Sequence, residues 1–341
     1  MSSEHRPRVL ADVGVLVRDR DRDELLDVVE LVDAPGEGPL DEAALIGALA
    51  GCRGLIRLGS RLPAITRQVL ESAPDLELVG VRGDRFGTGV DLAAAGERGV
   101  RVVDTDNVAS APPVAEWVLA LMLACLRNAG AVMRQMMAGT EQWAQAGNDG
   151  QVSGELTGQR VGLVGCGHVG QRLVELLAPF RVDLLVCDPY MDEALARELG
   201  LRRGPLDQVL EHADILVVQV PHTPRTEKMI GPGELDRLGP GRIIVNCCRG
   251  PVVDQQALEE RLAAGQLVAG LDVFDPEPLP GDSPLRSMPN AIITPHIAWY
   301  APNGFHRYFA TMAREFIRYF TGGDLQQELT QRMVDIRRGL V

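Results

Sequence analysis

Short apolar stretches alternate with amphipathic segments along the chain. In the first third, Val9–Ala11, Gly54–Ile56, Leu76–Val81 and Val100–Val103 predict strands, and Asp41–Leu49 and Ile65–Glu71 predict helices. A second block opens at Arg160. It predicts strands at Val161–Val164, Asp183–Cys187, Ile215–Gln219, Arg242–Asn246, Val268–Leu271 and Ala291–Ile293. Helices are predicted between most of them, at Val169–Leu177, Glu193–Glu198, Leu206–His212, Pro232–Arg237 and Gln255–Ala264. This alternation implies βαβ units and an α/β fold of doubly wound parallel sheets. Between the blocks, Pro113 to about Met137 reads as one long helix, opened by a proline whose missing amide would be unpaired in a first turn anyway. Trp143–Gly158 reads as a loop, Asn303 to about Phe320 as a last helix, and Thr330 onward as a polar tail or weakly held helix.

A length of 341 residues favours two lobes, and 45% hydrophobic with 24% charged residues is a globular balance that argues against disorder. The net charge of −13 comes without any basic run, which disfavours nucleic-acid binding. Lys228 is the only lysine, a bias that suggests a GC-rich bacterial genome. The six cysteines form no Cys-x-x-Cys pair and no zinc spacing, so no metal is expected and a reduced, cytoplasmic protein is. Met1–Arg8 has no signal-peptide pattern. The longest apolar run, Val118–Leu126, is far short of the ~20 residues of a membrane span.

The segment from Val161 to Gly170 reads strand, Gly-x-Gly-x-x-Gly, helix. Gly165 permits the tight turn, Gly167 lets backbone approach a pyrophosphate, and Gly170 lets helix and strand pack closely. The helix start supplies free N–H groups to phosphates. The next strand ends at Asp188, placed to accept hydrogen bonds from an adenosine ribose, and Pro189 and Tyr190 follow instead of an arginine. Asp188 would repel a 2′-phosphate, so the cofactor expected is NAD and not NADP.

Four features follow at or after predicted strand ends: Asn246-Cys247-Cys248-Arg249-Gly250, Gly270-Leu271-Asp272-Val273-Phe274, Glu277-Pro278 and Thr294-Pro295-His296. Here the chain resembles the D-isomer-specific 2-hydroxyacid dehydrogenases, phosphoglycerate dehydrogenase-like in a short form without a regulatory domain. The resemblance implies that Arg249 clamps a substrate carboxylate, that Glu277 pairs with His296, and that His296 is the acid/base. It further implies cofactor contacts at His168, Val169, Val220, Pro221, Thr226 and Cys247, with Asp272 on the nicotinamide carboxamide. The fold implied is two Rossmann-like lobes with an active-site cleft between them: 1–106 plus 299–341 for substrate, and 107–298 for NAD. The activity implied is interconversion of a D-2-hydroxy acid and its 2-oxo acid. The chemistry stands by itself: reduction needs a proton on oxygen, histidine titrates near neutrality, and arginine's fork matches a carboxylate.

In the first lobe Arg57, Ser60 and Arg61 follow one strand, and Arg82-Gly83-Asp84-Arg85 follows another. The resemblance points to backbone amides near Gly83 and Asp84 as carboxylate donors. The arginines suggest an anionic distal group, as on a 3-phosphoglycerate-, glycerate- or glyoxylate-like substrate; the plain alternative is an arginine-rich surface. Trp299 and Tyr300 either wall the pocket or pack in a core or interface. Cys247 and Cys248 stand where small residues are usual; they read as space-fillers, with a redox-sensitive site as the alternative. Gln219 stands where a histidine is common, and His222 reads as a solvated loop residue. The family makes a homodimer through the Pro113–Met137 region, although any buried helix would show the same stripe. The segment from Pro295 to Tyr300 is also similar to that of NAD(H)-sensing corepressors of the same fold.

Overall fold

The computed structural model describes residues 6–14, 17–83, 89–141, 143 and 154–338. The chain divides into two compact units, Met1–Ala109 with Ala301–Val341, and Ser110–Tyr300. The first unit holds β1 (Arg8–Asp12), β2 (Glu30–Asp33), β3 (Gly54–Arg57), β4 (Leu78–Val81) and β5 (Arg101–Asp104), all parallel, in the order β2-β1-β3-β4-β5. Helices α1 (Asp19–Leu26), α2 (Glu42–Ala48), α3 (Arg67–Ser72) and α4 (Leu92–Glu97) connect them. Asp41, Thr66 and Asp91 start α2, α3 and α4 by accepting the Ala44, Val69 and Ala94 amides, as short polar side chains do at helix N-termini. β4 is buried along its whole length, which is why it reads as a continuous apolar run. The edge strand β2, with its half-exposed Glu-Leu-Val-Asp sequence, carries no such signal and was not predicted.

The predicted helix between the blocks differs in the structure. Helix α5 runs Asp106–Leu126 and α6 runs Ala129–Ala138. Asn128 separates them at φ 48°, a left-handed conformation that asparagine tolerates better than most residues. Pro112 and Pro113 lie inside α5. Proline at 113 cannot donate to the carbonyl four residues back, and Arg307 Nε donates to that oxygen, Ala109 O, at 3.1 Å. Helix α5 is long and apolar enough to cross a membrane by length and composition alone. Its Val118, Leu121, Met122 and Cys125 are packed in the core of the second unit, which accounts for that character.

The second unit continues with β6 (Arg160–Val164), α7 (His168–Leu177), β7 (Asp183–Cys187), α8 (Glu193–Glu198), β8 (Arg202–Arg203), α9 (Leu206–His212) and β9 (Ile215–Val218). Then come α10 (Pro232–Leu238), β10 (Arg242–Asn246), α11 (Gln255–Ala263), β11 (Leu267–Leu271) and β12 (Ala291–Ile293). Its sheet has the order β12-β11-β10-β9-β6-β7-β8. Strand residues alternate between two cores. Val161, Leu163, Val217 and Val245 pack with α5, while Val164, Val218 and Ile244 pack with Leu210, Leu235 and Leu258 of α9, α10 and α11. From β6 the sheet grows one way through β7 and from β9 the other way, so the carboxyl ends of β6 and β9 form a switch point where open α/β sheets bind ligands. The chain then returns to the first unit with α12 (His306–Phe320) and α13 (Gln331–Arg337). Phe309, Met312 and Phe316 of α12 pack beneath β1, β3 and β4.

Candidate active site

The turn after β6 is built for close backbone approach. Gly165 has φ 90°, and a Cβ there would lie 2.5 Å from Gln219 O. A Cβ on Gly170 would lie 2.8 Å from Gly165 O, whereas one on Gly167 would meet nothing within 4 Å. Gly167 and His168 are exposed at the start of α7, and Val169 is half-buried. The turn is thus closed on the protein side and open above Gly167, where a pyrophosphate would lie on the helix N-terminus. Asp188 Oδ2 accepts the Cys166 amide at 2.8 Å and Oδ1 accepts the Tyr190 amide at 2.9 Å. Gln219 Nε2, beside this turn, is buried with no hydrogen-bond partner among the described residues. The open turn, the anchored carboxylate and the unpaired amide fit a bound dinucleotide.

The loop 220–226 follows β9. Val220 touches Gly165, and Thr226 Oγ1 accepts the Thr223 amide at 2.8 Å and donates to Pro221 O at 2.6 Å. Thr226 therefore shapes this loop, its one proton engaged within it. His222 is half-buried and stands 3.9 Å from Glu227.

Arg249, Asp272 and Thr294 follow the adjacent strands β10, β11 and β12. The strand ends are stepped together: the Asp272 amide donates to Asn246 O at 3.0 Å, and the His296 amide donates to Asp272 O at 2.9 Å. Asn246, buried at the end of an apolar strand, holds the Arg249 carbonyl through Nδ2 at 3.0 Å. Arg249 Nη1 donates to Cys248 O. The next residue, Gly250, lies so close to Phe274 O that any Cβ would collide with it. Glu277 Oε1 in turn accepts the Phe274 amide at 2.9 Å, and Glu277 Oε2 lies 2.9 Å from His296 Nδ1. A carboxylate can only accept, so Nδ1 carries the hydrogen and Nε2 remains for a reacting group. Gln255 Oε1 accepts the Asp275 amide at 2.9 Å and steadies the same loop. Sequence reasoning assigned no role to Asn246, Gln255 or Thr294; a polar residue closing an apolar strand was the one signal for Asn246.

Three of the expected contact residues are buried or already hydrogen-bonded within the chain. Asp272 is fully buried. Its carboxylate accepts from Thr294 Oγ1, the Ile297 amide and the Ala298 amide. Cys247 is likewise buried, beside Leu163 and Cys125 in the core. Burial pushes its thiol well above the usual range and holds Cys248 up to about 11, which fits space-fillers rather than a redox-sensitive pair. In the first unit the Gly83 amide donates to Asp104 Oδ1 at 3.0 Å and is already taken by a carboxylate.

Other substrate candidates are placed as follows. Arg57 Nε donates to Leu62 O at 3.0 Å, Ser60 is exposed, and the Arg82 guanidinium lies over the Tyr308 ring at 4.0 Å. Arg61 donates to the carbonyls of Ala34, Pro35, Gly36 and Gly38. Asp84 lies outside the described residues. Trp299 and Tyr300 are exposed and meet edge to face, centroids 5.5 Å apart. Among the described residues no cluster of His, Cys, Asp or Glu is placed to hold a metal ion.

Residues 119–298 match the family model for the D-isomer specific 2-hydroxyacid dehydrogenase, NAD binding domain. The chain belongs to the D-isomer specific 2-hydroxyacid dehydrogenases. The family's cofactor is NAD, and the glycine turn of the second unit lies within the matched segment. Among members of this dehydrogenase family, the chain is 32% identical over 304 residues to a glyoxylate reductase from Korarchaeum cryptofilum, covering 88% of this chain and 90% of that one. It is 35% identical over 247 residues to a D-3-phosphoglycerate dehydrogenase from Methanocaldococcus jannaschii. That match covers 71% of this chain, which spans 44% of the relative's length. In fold it is similar to a phosphoglycerate oxidoreductase from Rhizobium etli, with a TM-score of 0.81 at 24% identity over 95% of this chain and 98% of that one.

Proposed function

We propose that this chain is an NAD-dependent oxidoreductase that interconverts a small D-2-hydroxy acid and its 2-oxo acid. The observation that carries the reading is the His296 Nδ1 to Glu277 Oε2 hydrogen bond of 2.9 Å, in the unit that also holds the glycine turn and Arg249. Bound NADH supplies the hydride. His296, oriented by Glu277, donates a proton from Nε2 to the substrate oxygen in reduction and takes it back in oxidation. Arg249 orients the substrate through its carboxylate, and its guanidinium stabilises charge developing on the adjacent oxygen. Asp188 receives the adenosine ribose. The D configuration rests on the family. The substrate is 3-phosphoglycerate-, glycerate- or glyoxylate-like, with Arg57 and Arg82 the first unit's candidates for an anionic distal group.

A second copy of this chain is the proposed partner, supported by the exposed Met133, Met136 and Met137 of α6 and the exposed Trp143. Six free cysteines support a reducing, cytoplasmic setting. The test is NADH oxidation with glyoxylate, hydroxypyruvate and phosphohydroxypyruvate, run beside NADPH. Turnover with NADH on one of the three is expected. NADH binding with no turnover on any of them would leave the enzyme reading unsupported and favour a sensor.

A further inference from the structure

Three side chains form a line beneath the loop that carries His296. The indole Nε1 of Trp117, on α5, donates to Thr294 Oγ1 at 3.2 Å. Thr294 Oγ1 lies 2.5 Å from Asp272 Oδ1. An indole N–H only donates and an ionised carboxylate only accepts, so the hydroxyl between them has a single arrangement. It accepts from Trp117 and gives its proton to Asp272. The same carboxylate receives the Ile297 amide at 3.0 Å on Oδ1 and the Ala298 amide at 2.9 Å on Oδ2. The Asp272 carbonyl takes the His296 amide at 2.9 Å. Both flanks of His296 are therefore tied to one buried residue.

That tethering has something to hold in place. His296 has φ 55°, a left-handed conformation that is unfavourable for a residue with a β-carbon. Released from its anchors, the backbone would relax toward ordinary φ and carry the imidazole away from Glu277. Hydrogen bonds to a carboxylate are among the stronger ones, and several of them converge here to hold the strained backbone. We propose that Thr294 and Trp117 are positioning residues for His296, acting through Asp272. The relay orients the Asp272 carboxylate so that its remaining lone pairs meet the Ile297 and Ala298 amides, and these set where the ring stands against Glu277. The proposal rests on the reading of His296 as the proton donor and acceptor.

Three substitutions test it. Thr294→Val keeps the shape and removes the hydroxyl; Thr294→Ser keeps the hydroxyl; Trp117→Phe removes only the N–H donor and some ring area. Thr294→Val is expected to lower kcat about ten-fold or more, since small misplacements of an acid/base group are costly, and to shift the pH profile of kcat. NADH affinity, read by fluorescence, stays within two-fold. Thr294→Ser restores both rate and profile, and Trp117→Phe shifts both in the same direction by less. The His296 imidazole resonances, assigned with His296→Asn, move in Thr294→Val and return in Thr294→Ser whether or not a substrate is in hand. Wild-type kcat and an unmoved His296 titration in Thr294→Val overturn the proposal. If that variant does not fold, wild-type behaviour of Trp117→Phe in both measurements overturns it. Should His296→Asn itself turn over at the wild-type rate, the reading of His296 has failed instead, and the NMR comparison still decides whether the relay places the ring.

Discussion

Asp188 Oδ2 accepts the Cys166 amide at 2.8 Å, which ties the end of β7 to the glycine turn between β6 and α7. The same carboxylate accepts the Tyr190 amide through its other oxygen. Each oxygen keeps lone pairs for further donors, so the group is held in place before any ribose arrives, and its side-chain freedom need not be lost on binding.

Replacing Asp188 by alanine should weaken NADH binding about ten-fold or more, the scale of hydrogen bonds to a charged acceptor. NADPH binding should fall less, because the negative charge that opposes a 2′-phosphate is gone. Fluorescence titration with both cofactors checks this; unchanged affinity for each would remove Asp188 from the ribose site.

Arg249→Ala should reduce kcat/KM with a 2-oxo acid by about two to three orders of magnitude while leaving NADH affinity within a few-fold. Arg249→Lys should recover little of it, since an ammonium cannot reproduce a planar two-point clamp. A fully active alanine variant would refute the carboxylate-clamp role.

Gly165→Ala should destabilise the second unit by about 2 kcal/mol or more. The new Cβ would stand 2.5 Å from Gln219 O on a backbone at φ 90°, so both sterics and conformation oppose it. The shift in urea midpoint measures the loss, and a wild-type midpoint would show that the turn yields.

Burial pushes the thiols of Cys125 and Cys166 up to about 12 and that of Cys248 to about 11, from an ordinary value of 9.0. The folded chain then keeps protons that the unfolded chain releases above pH 9. Stability is fully present below that pH and falls as pH rises toward 11 and 12, by up to about 1.4 kcal/mol per pH unit for each thiol. Urea midpoints from pH 8.5 to 11 should decline, and the decline should be shallower in Cys125→Ala than in the native chain. Equal slopes would contradict the burial account.

How much of this was legible beforehand varies element by element. Strands β7, β10 and β12 and helices α8 and α9 have the bounds read from the sequence, because nearby Gly, Pro, Asn or Asp residues mark their edges. The helix over Pro113–Met137 ends within a residue of the end of α6, but its start and its continuity were misjudged. Pro113 resembled a start because prolines favour first turns, yet a side chain from α12 serves the carbonyl it leaves unpaired, and the break at Asn128 has no strong local marker. The order of Arg249, Glu277 and His296 was visible in the motifs; that Asn246 and Gln255 steady the loops bearing them was not.

Taken alone, the amino-acid sequence determined the parallel α/β alternation, the glycine turn and the identity of the three chemical groups. Those are properties of neighbouring residues and short spacings. Tertiary structure decided which polar groups are already engaged. It buried Asp272 under four donors, gave the Gly83 amide to Asp104, and joined Trp117 to Thr294 across 177 positions. A hydrogen bond saturates its donor, and which acceptor reaches that donor first depends on how distant segments pack, a quantity that no local pattern encodes.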